Sequence, residues 1–228
     1  MSQVQKHFDS LAESYDFWKK KNAYYYTSVK EVFRSLIPQG TKILDVGCGT
    51  GDILAYLEPK YGVGIDISSK FIEIAKEKYK SRSSLHFSTV TVRELRTKNF
   101  DFIILSDVIE HLEDINEMFS DILSIADQKT LVIITMANSS WEPILEIAEK
   151  LNLKMPEGPH KRLNDDQLIS ALKKNHFELI SFGSRLIFPI NLGKISTFIN
   201  QIYYKVPIFK NWGVIHFFVC QKVKNHTL

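Results

Sequence analysis

Ile43-Leu-Asp45-Val-Gly47-Cys-Gly49-Thr-Gly51 decides the reading of this chain. A short apolar run enters three glycines separated by single small residues, and Asp52–Glu58 follows with a helical pattern. Glycine lets the backbone turn sharply and lets a ligand approach where a Cβ would stand. In open parallel sheets, this strand–turn–helix junction is where a nucleotide-type ligand lies. Fifteen residues after Gly51 comes Asp66, closing a second apolar run, Gly62-Val-Gly-Ile-Asp66. A carboxylate there accepts both hydroxyls of a ribose. A mere tight turn requires neither Asp66 nor Asp45.

The same pattern recurs outward from the loop. Lys42–Val46, Gly62–Asp66, Leu85–Val90, Phe102–Leu105 and Thr130–Thr135 are short and rich in β-branched or large apolar residues, as strands buried on both faces require. Ser68–Tyr79 opens with a capping Ser and carries Phe71, Ile72 and Ala75 at helical spacing. Asp114–Ile125 places Ile115, Met118, Phe119 and Ile122 on one helix face. Strand and helix alternating five times predict a doubly wound α/β fold, a parallel sheet covered by helices on both sides. Phe177–Gly183 and Val214–Cys220 read as two late strands forming an antiparallel pair at a sheet edge. Val4–Leu11 and Tyr24–Leu36 read as helices over one end of the sheet.

No Pro-rich or Gly/Ser-rich linker divides the chain, so one domain over residues 1–228 is expected. It comprises a helical cover (1–40), a cofactor-binding core (41–140) and a C-terminal substrate or edge segment (151–228). The 44% hydrophobic and 24% charged content excludes a disordered chain. Cys48 and Cys220 make no CxxC pair, which argues against a disulfide framework or thiolate zinc site and for the cytosol. No run of about 18 apolar residues is present, and the first ten residues carry no leader-like apolar stretch.

Two ligand classes compete for the loop. A dinucleotide fingerprint, GxGxxG, counted from Gly47 places its third glycine at position 52, which is Asp. A carboxylate facing a pyrophosphate at a helix N-terminus repels it. Asp45 stands just before the first glycine, so acids flank the loop on both sides. That pattern suits a ligand with a positive centre or an ammonium group. S-adenosylmethionine has both, and a ribose for Asp66.

Leu44-Asp-Val-Gly-Cys-Gly-Thr-Gly51, Val63-Gly-Ile-Asp-Ile-Ser68 and Phe100-Asp-Phe-Ile-Ile-Leu-Ser-Asp-Val-Ile-Glu-His-Leu112, in series, resemble the class I S-adenosylmethionine-dependent methyltransferases. The resemblance implies a seven-stranded, mostly parallel Rossmann-like sheet with an antiparallel last strand. It implies that Gly47, Gly49 and Gly51 face the methionine part and Asp66 holds the ribose, joined by Asp45 and by Cys48, Ile67 and Ser106 from the same motifs. His7-Phe-Asp-Ser-Leu-Ala-Glu-Ser-Tyr-Asp16 is similar to the opening of small-molecule methyltransferases such as those of quinone biosynthesis, in which Tyr15 approaches the cofactor. The family's usual acid near the adenine amino group is replaced in Ser88-Thr-Val-Thr-Val92, where Thr91 or the Val92 amide is expected to serve.

Methyl transfer from a sulfonium chiefly requires holding acceptor and methyl aligned and dry. A base is needed only when the nucleophile must lose a proton. His111, just beyond the fourth strand run, is the catalytic candidate, with a structural histidine as the other reading. Ser106-Asp-Val-Ile109 lacks the prolines usual in enzymes that methylate exocyclic amines of bases. The expected acceptor is an oxygen or carbon of a small or lipid-linked molecule. An RNA or protein methyltransferase and a catalytically silent cofactor-binding partner stay open.

The tail is basic: residues 1–150 hold 18 basic against 22 acidic side chains, residues 151–228 hold 11 against 4. In Met155-Pro-Glu-Gly-Pro-His-Lys-Arg162, His160 and Arg162 read either as an anchor for an anionic substrate or as a solvated loop. This loop and the helix Asn164–Lys174 are similar to a methyltransferase branch met among sugar and lipid-linked glycan genes. Ile195, Phe198, Ile199 and Ile202 form a stripe followed by Tyr203, Tyr204, Phe209 and Trp212, with Lys194, Lys205 and Lys210 between. Residues 186–212 therefore read as a packed insertion, a surface resting peripherally on a membrane, or a dimer interface. Of Tyr24-Tyr-Tyr26, at most two are expected to reach an acceptor pocket. Nucleic acid is disfavoured as a partner, and the oligomeric state is left open.

Overall fold

In a computed structural model, which describes residues 1–189, 193–203 and 211–223, the apolar runs become strands of one sheet. In chain order the elements are α1 (Gln3–Lys21), α2 (Ala23–Leu36), β1 (Lys42–Val46), α3 (Asp52–Leu57), β2 (Tyr61–Ile65), α4 (Ser69–Lys78), β3 (Leu85–Ser88), β4 (Phe102–Ser106), α5 (Ile115–Ile125), β5 (Leu131–Ala137), α6 (Glu142–Lys150), α7 (Asp165–Lys174), β6 (Phe177–Arg185), α8 (Lys194–Tyr203) and β7 (Ile215–Lys222). The seven strands lie in the order β3-β2-β1-β4-β5-β7-β6. The first five are parallel, and β7 runs antiparallel to both of its neighbours.

Alternate residues of the central strands feed two cores. Leu44, Ile103 and Leu105 pack with Phe119 and Ile122 of α5 and with Leu168 and Leu172 of α7. Ile43, Phe102 and Ile104 belong to the opposite core, with Val32 and Phe33 of α2, Leu54 of α3 and Ile72 of α4. This two-sided burial is why the strand sequences are almost continuously apolar. Ser68 caps α4 by accepting the Phe71 N–H (3.2 Å), and Asp114 caps α5 by accepting from Asn116 and Glu117.

Three expectations need correction. The first helix does not stop at Leu11; it runs to Lys21, with its N-terminal turn closed by Ser2 Oγ accepting the Gln5 N–H. The regular alternation fails between β3 and β4, where the described chain forms only a short 3-10 turn at Val92–Glu94. The sequence Arg93-Glu-Leu-Arg-Thr-Lys-Asn99 has no apolar stripe to lay a helix on the sheet. Conversely, α6 was not anticipated, although Pro143 in its first turn is a favoured starting residue.

Candidate functional site

β1 and β4 are neighbours, and the chain leaves them toward opposite edges of the sheet, which opens a crevice at their carboxyl ends. A cavity of about 1610 Å³ lies there. Pockets for one small ligand span about 300–1,000 Å³, so this one has room for a cofactor together with an acceptor.

One wall is the glycine loop. Gly47 and Gly49 adopt left-handed φ angles of 75° and 53°. A Cβ on Gly47 would lie 2.1 Å from Val108 Cγ2, so only glycine fits between the loop and the end of β4. Asp66 accepts the Gly49 N–H (2.8 Å) and the Ser68 N–H (2.9 Å), which fixes its carboxylate at the cavity edge. Asp45 lines the same wall, is 1% exposed, and has no hydrogen-bond partner among the described residues for either carboxylate oxygen. Burial, aided by the negative charge of Asp66 and opposed by Lys19, pushes Asp45 up to about 7.

α1 lies across this wall. Ser68 Oγ donates to Asp9 (2.5 Å), Thr50 Oγ1 donates to Asp16 (3.0 Å), and Lys19 Nζ donates to Asp52 (2.9 Å). Lys78 bridges Asp16 and Asp52, 2.7 Å from each. Burial would raise Asp52, but the two lysines and the Tyr79 hydroxyl hold it below the usual carboxylate range. The helix sets the Tyr15 ring against Gly49, 3.3 Å from where a Cβ would stand. Asp52 thus faces lysines; its part is to tie α1 down.

Of the residues expected around a cofactor, Tyr15, Asp45, Gly47, Cys48, Gly49, Asp66, Ile67, Thr91, Val92 and Ser106 line the cavity. Gly51 is turned elsewhere: a Cβ there would meet the Phe87 ring at 2.7 Å, so its smallness serves packing against β3. The Thr91 hydroxyl is already used, donating to Glu94 at 3.0 Å in a capping box.

The other wall carries His111, at the turn after β4. Its Nδ1 lies 3.0 Å from the Pro159 carbonyl, which can only accept. The proton therefore sits on Nδ1, and Nε2 keeps its lone pair while the ring is neutral. Burial lowers its pKa, against the Pro159 hydrogen bond. Beside it, Asp107 accepts the Tyr25 hydroxyl (2.9 Å) and the Thr135 hydroxyl (3.0 Å). Asp107 sits at φ 53°, a left-handed conformation costly for a residue with a side chain. Burial raises its pKa even though both hydroxyls oppose the rise. Reading the sequence alone missed the Asp107–Tyr25 pair; the signal was the quoted Ser106-Asp-Val-Ile109, with its partner 82 residues away. All three of Tyr24, Tyr25 and Tyr26 border the cavity, more than helical geometry led us to expect.

Arg162 does not await an anion. It is bound to Glu110 (2.8 Å), Glu142 and Glu157 and is mostly buried among them. His160 lies between Glu142 and Glu157 at 3.4 Å from each. The cluster pins the 155–162 loop against the turn after β4 and against α6. In α8, Ile195 and Phe198 are exposed, while Tyr204, Lys205, Phe209 and Lys210 lie outside the described residues.

A protein-family model described as a methyltransferase domain matches residues 44–129. A ubiquinone biosynthesis O-methyltransferase of Bartonella quintana is 29% identical over 170 residues, covering 69% of this chain and 68% of that protein. The chain is a class I S-adenosylmethionine-dependent methyltransferase. An uncharacterized protein of Methanocaldococcus jannaschii is 26% identical to the methyltransferase over 250 residues, 97% of this chain and 92% of that one. Among solved structures, a magnesium protoporphyrin IX methyltransferase from Synechocystis PCC 6803 with bound S-adenosylhomocysteine shares the fold, with a TM-score of 0.63 at 19% identity over 96% of this chain and 97% of that one. The methyltransferase's own loop fits S-adenosylmethionine. Its buried, unpartnered Asp45 calls for a cation, and Asp66 presents carboxylate oxygens whose other lone pairs remain available at the cavity edge.

Proposed function

We propose that this methyltransferase acts on an oxygen of a small or lipid-linked molecule, and that His111 removes the proton which that oxygen carries. The supporting observation is the Pro159 carbonyl, which fixes the His111 proton on Nδ1 and leaves Nε2 as an acceptor beside the cavity. Likeness to an O-methyltransferase of quinone biosynthesis points the same way. A carbon acceptor is the nearest alternative.

S-adenosylmethionine, when bound, supplies a methyl group already activated on a sulfonium. The chain's own residues do the rest. Gly47 and Gly49 let the backbone approach the methionine part, Asp45 supplies a counter-charge, Asp66 takes the ribose, and Cys48, Ile67, Val92 and Ser106 complete the wall. Tyr15, held by α1, covers the loop and excludes water. Asp107, held by Tyr25 and Thr135, orients the acceptor through its unused lone pairs. His111 Nε2 takes the proton. A lipid-linked acceptor brings the enzyme to a membrane as a peripheral protein; among the described residues no helix is long and apolar enough to cross one.

The test is S-adenosylhomocysteine release with oxygen and carbon acceptors. His111→Ala should lower turnover roughly a hundredfold, within the usual range for a lost general base, while S-adenosylhomocysteine still binds. Unchanged turnover would make His111 a packing residue. Salt-sensitive RNA binding would favour an RNA acceptor instead.

A further inference from the structure

α6 presents an apolar ridge at the open edge of the cavity. Ile144, Ile147 and Leu151, three and four residues apart, are 55%, 58% and 63% exposed, and Leu153 just beyond is 56% exposed. At about 100° per residue, Glu142, Glu146 and Glu149 fall on the other side of the helix, and Lys150 lies at the flank of the ridge. None of the residues of α6 is buried. A single exposed aliphatic residue is ordinary, but a contiguous ridge marks a contact.

The ridge is continued at both ends. Asn22 Nδ2 donates to the Leu153 carbonyl (2.8 Å), and Lys21 Nζ donates to the Asn152 carbonyl. This joins the end of α1 to the end of α6 and brings exposed Lys20 and Lys21 alongside. Phe17, one turn earlier in α1, is 61% exposed. At the start of α6, Trp141 Nε1 donates to the carbonyl of Trp212, itself 60% exposed. Aliphatic side chains on a helix, aromatic residues at its margin and flanking lysines form the composition of a helix that lies in a lipid interface.

We propose that this rim, α6 with the end of α1, docks on an anionic lipid bilayer. The exposed Lys20 and Lys21 beside the ridge argue for an anionic lipid surface, whose headgroups neutralise them, while Glu142 and Glu149 lie on the far side of α6. The cavity gives the contact a purpose. Ile144, Ile147, Ala148, Leu151 and Leu153 line its outer wall, so a lipid-linked acceptor passes from bilayer to site along apolar surface. That purpose rests on the proposed acceptor class; the contact itself does not.

Cosedimentation of the full chain with vesicles of phosphatidylcholine, alone or mixed with phosphatidylglycerol, tests the contact. Retention should be roughly tenfold better on the anionic vesicles, since each lysine near such a surface contributes measurably. Ile147→Ser with Leu151→Ser should weaken it at least about fivefold by removing apolar surface from the interface. Lys20→Gln with Lys21→Gln should abolish the preference for anionic lipid. Binding to neither vesicle, or binding that the serine substitutions leave intact, overturns the proposal. So does self-association in lipid-free buffer that the same substitutions abolish, which would assign the rim to a second copy. Circular dichroism of each variant reports folding; should the serine pair unfold, Phe17→Ser carries the same test. Titration of the unaltered protein with S-adenosylhomocysteine fails only if the enzyme reading is wrong, whatever the vesicles show.

Discussion

α5 and α6 carry nearly the same pattern, and the fold treats them oppositely. In α5, Phe119 and Ile122 are wholly buried against the sheet; in α6, Ile144, Ile147 and Leu151 stand more than half exposed. Chain order explains the difference. α5 connects β4 to β5, two adjacent parallel strands, so a right-handed crossover lays it on the sheet face. α6 follows β5, but β5's next neighbour is β7. The crossover toward β6 is served by α7, whose Leu168 and Leu172 join the α5 core, and α6 is left at the carboxyl edge over the cavity. An apolar stripe therefore predicts a buried helix only when the topology offers a sheet face to cover. The cavity is divided likewise. Its inner wall, with Asp45 and Asp66, is built by the sheet, and its outer wall by a helix the sheet does not claim.

Substitutions can break this division. Phe119→Ala should destabilise the protein by about 3–5 kcal/mol, as a wholly buried aromatic residue requires, and urea unfolding would measure it. A much smaller loss would mean that the α5 core relaxes around the gap.

The inner wall should respond to pH. Asp45 in the fold titrates near 7, above its ordinary 3.8. Between these values the folded protein without cofactor keeps a proton that the unfolded chain has released, so Asp45 subtracts stability as pH rises through that window. A bound cation favours the carboxylate. Cofactor binding should thus release a proton and weaken below neutrality by up to about tenfold per pH unit. Calorimetry in buffers of different ionisation enthalpy would detect the proton, and Asp45→Asn should flatten the profile. A flat profile in the unaltered protein would remove Asp45 from the cofactor site.

The smallest effect is the sharpest contrast. Ile147→Ala should leave unfolding within about 0.5 kcal/mol, as exposed positions do. A larger cost would show that the α6 ridge is packed in solution and that the two helices are alike after all.

Much of this was legible in the chain itself. The strands could be read because burial on both faces leaves almost no polar residue in them, and the loop because glycine is required where φ is positive and Val108 presses close. Most of the residues expected near the cofactor do meet at one cavity. What stayed hidden were pairings made by the fold. Arg162 looks like an anion receptor until the chain returns Glu110 and Glu142 to it from 52 and 20 residues away. Gly51 looks like its two companions until Phe87 fills the space beside it. Asp107 and Tyr25 belong to different motifs and become partners only when α2 lies over the end of β4.

The place of β7 sets an order of events during synthesis. It is the last of the described strands in chain order, yet it lies between β5 and β6, and β6 pairs with β7. While residues 177–185 leave the ribosome, the strand they need has not been translated. The exposed edge of β5, from Leu131 to Ala137, waits with them as an apolar template for a stray strand. In the interval before residues 215–222 emerge, that edge is open to stray pairing, and a chaperone has something to cover. The sheet then closes by insertion, with its final strand sliding into a slot that two earlier strands have left open.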